Sequence, residues 1–137
     1  MRVLNFKSSV ILTFLISFLL LSSCGLALKE KPEEIEKMPI DKVYILAIDY
    51  YSNGLIDEAE FLYRKVIQKY ESSSEKDEGN KHIYLWSLYE VGFISYLKND
   101  YQKAKEYFDK VILQSDSQSM PQVLLAKRVL LNIKKGR

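Results

Sequence analysis

One cysteine, one histidine and one tryptophan occur among 137 residues, with only three prolines and five glycines. A lone cysteine cannot close an intramolecular disulfide, so the fold must rest on its apolar core. The single histidine, His82, cannot assemble a metal site alone; at a loop-to-helix junction it reads as a surface or capping residue. No glycine-rich phosphate loop is present, and Ser72 to Ser74 have no local base. The acidic pairs Glu33-Glu34 and Asp57-Glu58 fall in tether or first-turn positions, where carboxylates are ordinarily solvated or complement a helix dipole. Neither sign of charge dominates, since 20 Lys/Arg stand against 18 Asp/Glu, so nothing demands nucleic acid. The expectation is a binding protein and not an enzyme, with no metal and no nucleic-acid partner.

Long hydrophobic runs are also missing beyond one short stretch. Residues 10–21 (VILTFLISFLLL) follow the positive Arg2 and Lys7 and carry no charge over twelve positions. A membrane-crossing helix needs about 20 apolar residues, so this run has the length of a secretory leader core. It ends in Leu21-Ser22-Ser23-Cys24, which resembles the lipobox of bacterial lipoproteins. The resemblance implies a diacylglycerol on the Cys24 sulfur, cleavage before that residue and acylation of the new amine; the plainer alternative is a free cysteine beside an ordinary cleavage site. Residues 1–23 are thus a lipoprotein signal peptide, and the covalent lipid on Cys24 is the only prosthetic group expected. Two or three acyl chains hold a protein on a membrane, at about 0.8 kcal/mol per buried CH₂. Gly25 stands where enteric lipoproteins kept in the inner membrane typically carry Asp. That implies the outer membrane, on its periplasmic face or at the cell surface.

Residues 24–41 contain two prolines and alternating charge without a sustained apolar period, and read as a lipidated cysteine with a flexible tether, with at most a helical turn around Glu33 to Lys37. Residues 42–137 form the folded domain. Apolar residues recur there at spacings of three and four with hardly any strand-like alternation, so the domain is all-α. Asp41 is a candidate N-cap for a first helix that stops near Asn53-Gly54. A second helix opens at Asp57-Glu58 and runs to about Tyr70 on a stripe of Ala59, Leu62, Tyr63, Val66 and Ile67. The stretch 71–81 (ESSSEKDEGNK) reads as a solvated loop. A third helix covers about Ile83 to Lys98, a fourth Tyr101 to about Gln114, and a fifth follows Ser119 and Pro121 and ends among Lys134, Lys135 and Gly136.

Ala47, Tyr51, Ala59, Tyr63 and Val66 each have a counterpart 45 residues on, at Gly92, Tyr96, Ala104, Phe108 and Val111. The same hairpin therefore occurs twice. Gly92 and Ala126 are 34 apart, the tetratricopeptide period, which puts the fifth helix where a third repeat would begin. Residues 46–67 and 91–112 resemble tetratricopeptide repeats, with small residues where two helices meet and Tyr63 or Phe108 beside them. They depart from that pattern in Val66 and Val111, in the absent closing prolines, and in Val43 where Trp is favoured. The expected fold is a short α-solenoid of two tetratricopeptide-type hairpins plus a C-terminal capping helix. The lipobox, short tether and two early repeats together resemble the BamD family of lipoproteins, part of the outer-membrane β-barrel assembly machine. Members of that family are much longer, with about five repeats.

In a tetratricopeptide stack the first helix of each hairpin lines the concave face. That resemblance places Tyr44, Ile48, Tyr51, Trp86, Tyr89, Phe93 and Tyr96 there, as a groove for a protein partner. Rings with polar tips make strong anchors in recognition; equally, these side chains could fill core between helices, a reading favoured for Ile48 and Phe93. Uncovered ends of a two-repeat stack could also be covered by a second copy. Lys127, Arg128, Lys134, Lys135 and Arg137 gather on the last helix. They either complement its dipole and solvate its outer face or form a basic patch for an acidic partner or anionic headgroups. The resemblance to BamD implies a BamA-type outer-membrane barrel protein as partner. The alternative is another adaptor lipoprotein of the envelope, or a surface-exposed binding lipoprotein.

Overall fold

The computed structural model describes residues 28–136 apart from 75 and 118–119. The expected leader and lipobox with Cys24, together with Ser119 and Arg137, lie outside the described residues. Among the described residues six helices follow one another: α1 (Pro32–Lys37), α2 (Ile40–Ser52), α3 (Ile56–Ser72), α4 (Glu78–Leu97), α5 (Tyr101–Gln114) and α6 (Pro121–Lys134). The domain is all-α, with each helix from α2 on packed antiparallel to the next in a short helical-repeat arrangement. The first helices of successive pairs also touch, α2 against α4 and α4 against α6, which makes α4 the central element.

The repeat is written into the backbone as well as into the side chains. At the end of α2, Leu55 N–H donates to the Tyr50 carbonyl and Gly54 N–H to that of Tyr51, both at 3.0 Å, with Gly54 at φ +78°. This is the Schellman arrangement, in which a residue in the left-handed region lets the chain satisfy the last carbonyls. Forty-five residues later it recurs: Asp100 N–H donates to Ser95 at 2.9 Å and Asn99 N–H to Tyr96 at 3.0 Å, with Asn99 at φ +62°. Asparagine is among the few residues other than glycine that enter this region without large cost.

The small residues sit where the pairing requires them. Ala47, Ala59, Ala104 and Ala126 are fully buried, and so are Val66, Val111 and Phe108. A Cβ on Gly92 would meet the Phe108 ring at 2.9 Å and the Tyr107 Cβ at 3.1 Å, so α4 and α5 touch through the absence of a side chain.

Three boundaries differ from the sequence-based expectation. Asp77, whose side chain accepts from Asn80 N–H at 2.8 Å, caps α4, so that the helix begins at Glu78, five residues before the expected Ile83, which shortens the loop. The cap of α2 is Pro39, and Asp41 falls in its first turn. The third difference is larger. The second half of the supposed tether is docked: Ile35 of α1 is fully buried, and Leu28, Met38 and Ile40 pack on the core. Tyr50 holds the approach by accepting from Lys29 N–H at 2.7 Å and donating to the Glu30 carboxylate at 2.8 Å. Lys65 pairs with Glu36, and Lys69 Nζ donates to the Glu36 carbonyl at 2.6 Å. Residues 28–38, expected within the tether, thus pack on the domain, with the expected helical turn around Glu33 to Lys37 present as α1.

Candidate aromatic face on the central helix

Residues three and four apart on a helix share a face. Along α4 that rule aligns Trp86, Tyr89, Phe93 and Tyr96, and the rings form a continuous ladder. Trp86 meets Tyr89 edge-on with centroids 5.8 Å apart, Tyr89 stacks with Phe93 at 5.9 Å, and Phe93 stacks with Tyr96 at 6.2 Å. Tyr101, at the start of α5, extends the row from Tyr96 at 5.8 Å. From the neighbouring pair, Tyr44 of α2 leans on Tyr63 of α3 at 6.0 Å.

The residues expected to form a groove divide by burial. Tyr44, Tyr51, Trp86, Phe93 and Tyr96 are partly exposed. Tyr89 is only 8% exposed, because Phe108 of α5 and Phe93 enclose it, so it supports the face from below. Ile48 behaves the other way: the core-filling reading fails at 44% exposure, and its neighbour one turn back, Ile45, reaches 57%. Large apolar side chains thus remain open on α2 beside a row of rings on α4. A separate open cleft of about 500 Å³ lies along α2 at Met38, Lys42, Ile45, Leu46 and Asp49.

Sequence reasoning passed over the one acid on this face. Glu90 lies four residues after Trp86 and three before Phe93, and it is partly buried. Burial pushes its carboxyl up from the ordinary 4.5 to about 6. No lysine or arginine among the described residues forms an ion pair with it. Four phenols feel its charge. Tyr44, Tyr51, Tyr63 and Tyr89 are all raised above their usual value, first by burial and then by Glu90. The repeat alignment carries the missed signal: 45 residues before Glu90 stands Ile45 and 34 after it Leu124, both aliphatic and more than half exposed.

His82 closes one end of the ladder. Its Nε2 accepts from the Trp86 indole N–H at 3.0 Å, and its Nδ1 lies 3.4 Å from the amide nitrogen of Gln122, a fully buried residue of α6. Lys127, Arg128 and Lys134 of α6 and Lys135 at its C-cap are exposed, and none of them forms an ion pair among the described residues. Glu33-Glu34 and Asp57-Glu58 occupy first turns of α1 and α3.

A second acid is a fastener. Glu60 of α3, 8% exposed, accepts from Arg64 at 2.6 Å, from Lys98 at the end of α4 at 2.7 Å and from Lys103 of α5 at 2.9 Å. Burial alone would raise its carboxyl, but these three cations overcome that and hold it at about 2. The contact ties the two hairpins together.

Among the described residues no group of three or more His, Cys, Asp or Glu is placed to hold a metal, and no helix is long and apolar enough to cross a membrane. No family model matches the chain, and comparison with curated proteins and with solved structures gives no match either.

Proposed function

We propose that the protein is a membrane-anchored scaffold that holds a polypeptide partner on the aromatic face of α4, with lipid on Cys24 as its anchor and no catalytic role. The observation that carries this reading is the ladder of rings from Trp86 to Tyr96, partly exposed at Trp86, Phe93 and Tyr96 over a buried Tyr89 and continued by Tyr101, with Ile45 and Ile48 open on α2. Rings that combine apolar area with a polar tip are what polypeptide recognition uses most. Lys127, Arg128 and Lys134 of α6 and Lys135 just after it, which form no ion pair among the described residues, supply a second contact of opposite character, suited to acidic side chains or anionic headgroups.

The two hairpins and the lipobox together favour a tetratricopeptide lipoprotein of the BamD kind, on the periplasmic face of the outer membrane, with a BamA-type barrel protein as partner. Docking of residues 28–38 sharpens the geometry of that proposal. Only Gly25 to Ala27 separate Cys24 from the docked segment, and an extended chain spans at most roughly 3.3–3.6 Å per residue. The start of the docked segment, at Leu28, would then sit within about 15 Å of the lipid surface.

Affinity purification from gently solubilised membranes tests the function. Recovery of a BamA-type barrel protein, lost on Trp86→Ala combined with Phe93→Ala, is expected; recovery of no envelope protein would sink the scaffold reading. If another envelope or surface protein is recovered instead, the adaptor reading replaces the BamD one. Cys24→Ala is expected to leave the protein unprocessed or soluble, and membrane attachment at mature size in that variant would overturn the lipid assignment.

A further inference from the structure

Glu90 poses a problem that nothing within the described residues solves. A carboxylate drawn part-way out of water is stabilised only by a cation or by hydrogen bonds, and no described cation pairs with it. The groups around it are apolar or phenolic: Trp86 and Phe93 on its own helical face, and within reach of its charge Tyr44 and Tyr51 of α2, Tyr63 of α3 and Tyr89 of α4. Rings about a carboxylate have one evident complement. Their faces attract a cation through the ring quadrupole, and the carboxylate pairs with the charge they surround.

We propose that Glu90, with the rings of Trp86, Phe93, Tyr44 and Tyr51, forms a pocket for a lysine or arginine side chain presented by a polypeptide lying along the aromatic face. The inference rests on the docking reading above and names what that docking recognises. Charge complementarity decides the occupant. An acidic or purely apolar segment would leave Glu90 unpaired beneath it, at greater burial than before, whereas a basic side chain supplies the missing counter-ion. The raised carboxyl of Glu90 fits this arrangement, since burial without a partner cation is what raises it. Position supports it too: the equivalent slots of the other two first helices hold the exposed aliphatic residues Ile45 and Leu124, so of the three repeat-equivalent positions Glu90 alone carries a charge.

Trp86 makes the test direct, because it is the only tryptophan and stands one turn from Glu90. The full chain in mild detergent is titrated with the capped pentapeptide Leu-Ala-Arg-Ala-Leu while Trp86 fluorescence is followed. The expected result is a saturating spectral change that is at least tenfold weaker for the same peptide with citrulline in place of arginine, and for Glu90→Gln with the arginine peptide. Retained folding of Glu90→Gln is checked by circular dichroism. Equal responses to the arginine and citrulline peptides, unchanged binding by Glu90→Gln, or no response at millimolar peptide would each overturn the proposal. Free arginine amide binding as tightly as the peptide would also overturn it, since the polypeptide would then contribute nothing. Failure here combined with recovery of an envelope protein through Trp86 and Phe93 would leave the scaffold reading standing and remove only the basic side chain.

Discussion

Substituting alanine for Gly92 sets two well-characterised effects against each other. Gly92 lies inside α4, where alanine is favoured over glycine by about 0.8–1 kcal/mol of helix propensity. Propensity alone therefore makes the variant more stable. The packing says otherwise. The new methyl would stand 2.9 Å and 3.1 Å from two carbons of the Phe108 ring and 3.1 Å from the Tyr107 Cβ, all below ordinary contact. Phe108 is fully buried and cannot swing out, and the Tyr107 Cβ is fixed to the backbone of α5. The two helices must part by a few tenths of an ångström, and overpacking of this kind costs about 1–3 kcal/mol. The expected net loss is about 1 kcal/mol, read as a lower urea midpoint with unchanged slope by far-ultraviolet circular dichroism. In a Phe108→Leu background the cost of the same substitution should shrink, because the ring that opposes the methyl is gone while the Tyr107 Cβ remains. A raised midpoint for Gly92→Ala in the otherwise native chain would refute the close approach of α4 and α5.

Glu90→Gln should raise stability by about 1–2 kcal/mol at pH 7.5, since the ionised carboxyl is disfavoured in the fold. The sign follows from a folded value raised to about 6: the native acid is not penalised below about 4.5, and the penalty grows in as pH rises through 6, so urea midpoints of the two proteins should converge near pH 4. Glu60→Gln should act in the opposite direction, lowering stability by about 1–3 kcal/mol at neutral pH, because Lys98, Lys103 and Arg64 lose a common acceptor. With the folded carboxyl held at about 2, that difference is present above pH 4.5 and fades as pH falls toward 2, which a pH series of thermal melts would detect. Asn99→Gly should stabilise by a few tenths to about 1 kcal/mol, since Asn99 holds φ +62° where glycine carries no penalty; a lower melting temperature would count against the shared turn geometry. Ile35→Ala should cost about 2–4 kcal/mol or release α1, seen as faster tryptic cleavage after Lys37.

Features that repeat at fixed spacing could be read from the residues. Ala59 with Ala104 and Tyr63 with Phe108 mark one helix of each hairpin, and Gly54 and Asn99 mark the two turns. The helix from Tyr101 to Gln114 was legible because Asn99-Asp100 announces its start and the stripe through Ala104, Phe108 and Val111 runs unbroken. What escaped depends on contacts between distant segments. Ile35 is a single apolar residue among charges, too little for any periodicity, yet it is fully buried because Tyr50, Lys65 and Lys69 hold its neighbours. The start of α4 was hidden by Gly79 and Asn80, poor helix formers that follow a good cap at Asp77. Glu60 meets Lys98 and Lys103 across 38 and 43 residues, for which no local pattern exists. Exposure along the ring row was partly misjudged because it is set by Phe108 on another helix, which covers Tyr89.

The claim that a polypeptide docks on the rings of α4 is tested most directly by photo-crosslinking in intact cell membranes. A benzophenone side chain is placed at Phe93 on the aromatic face and, in a second protein, at the exposed Lys105 on the far helix. The account predicts that position 93 captures a defined envelope polypeptide that position 105 does not. Capture of the same proteins from both positions, or of none from position 93, would contradict it.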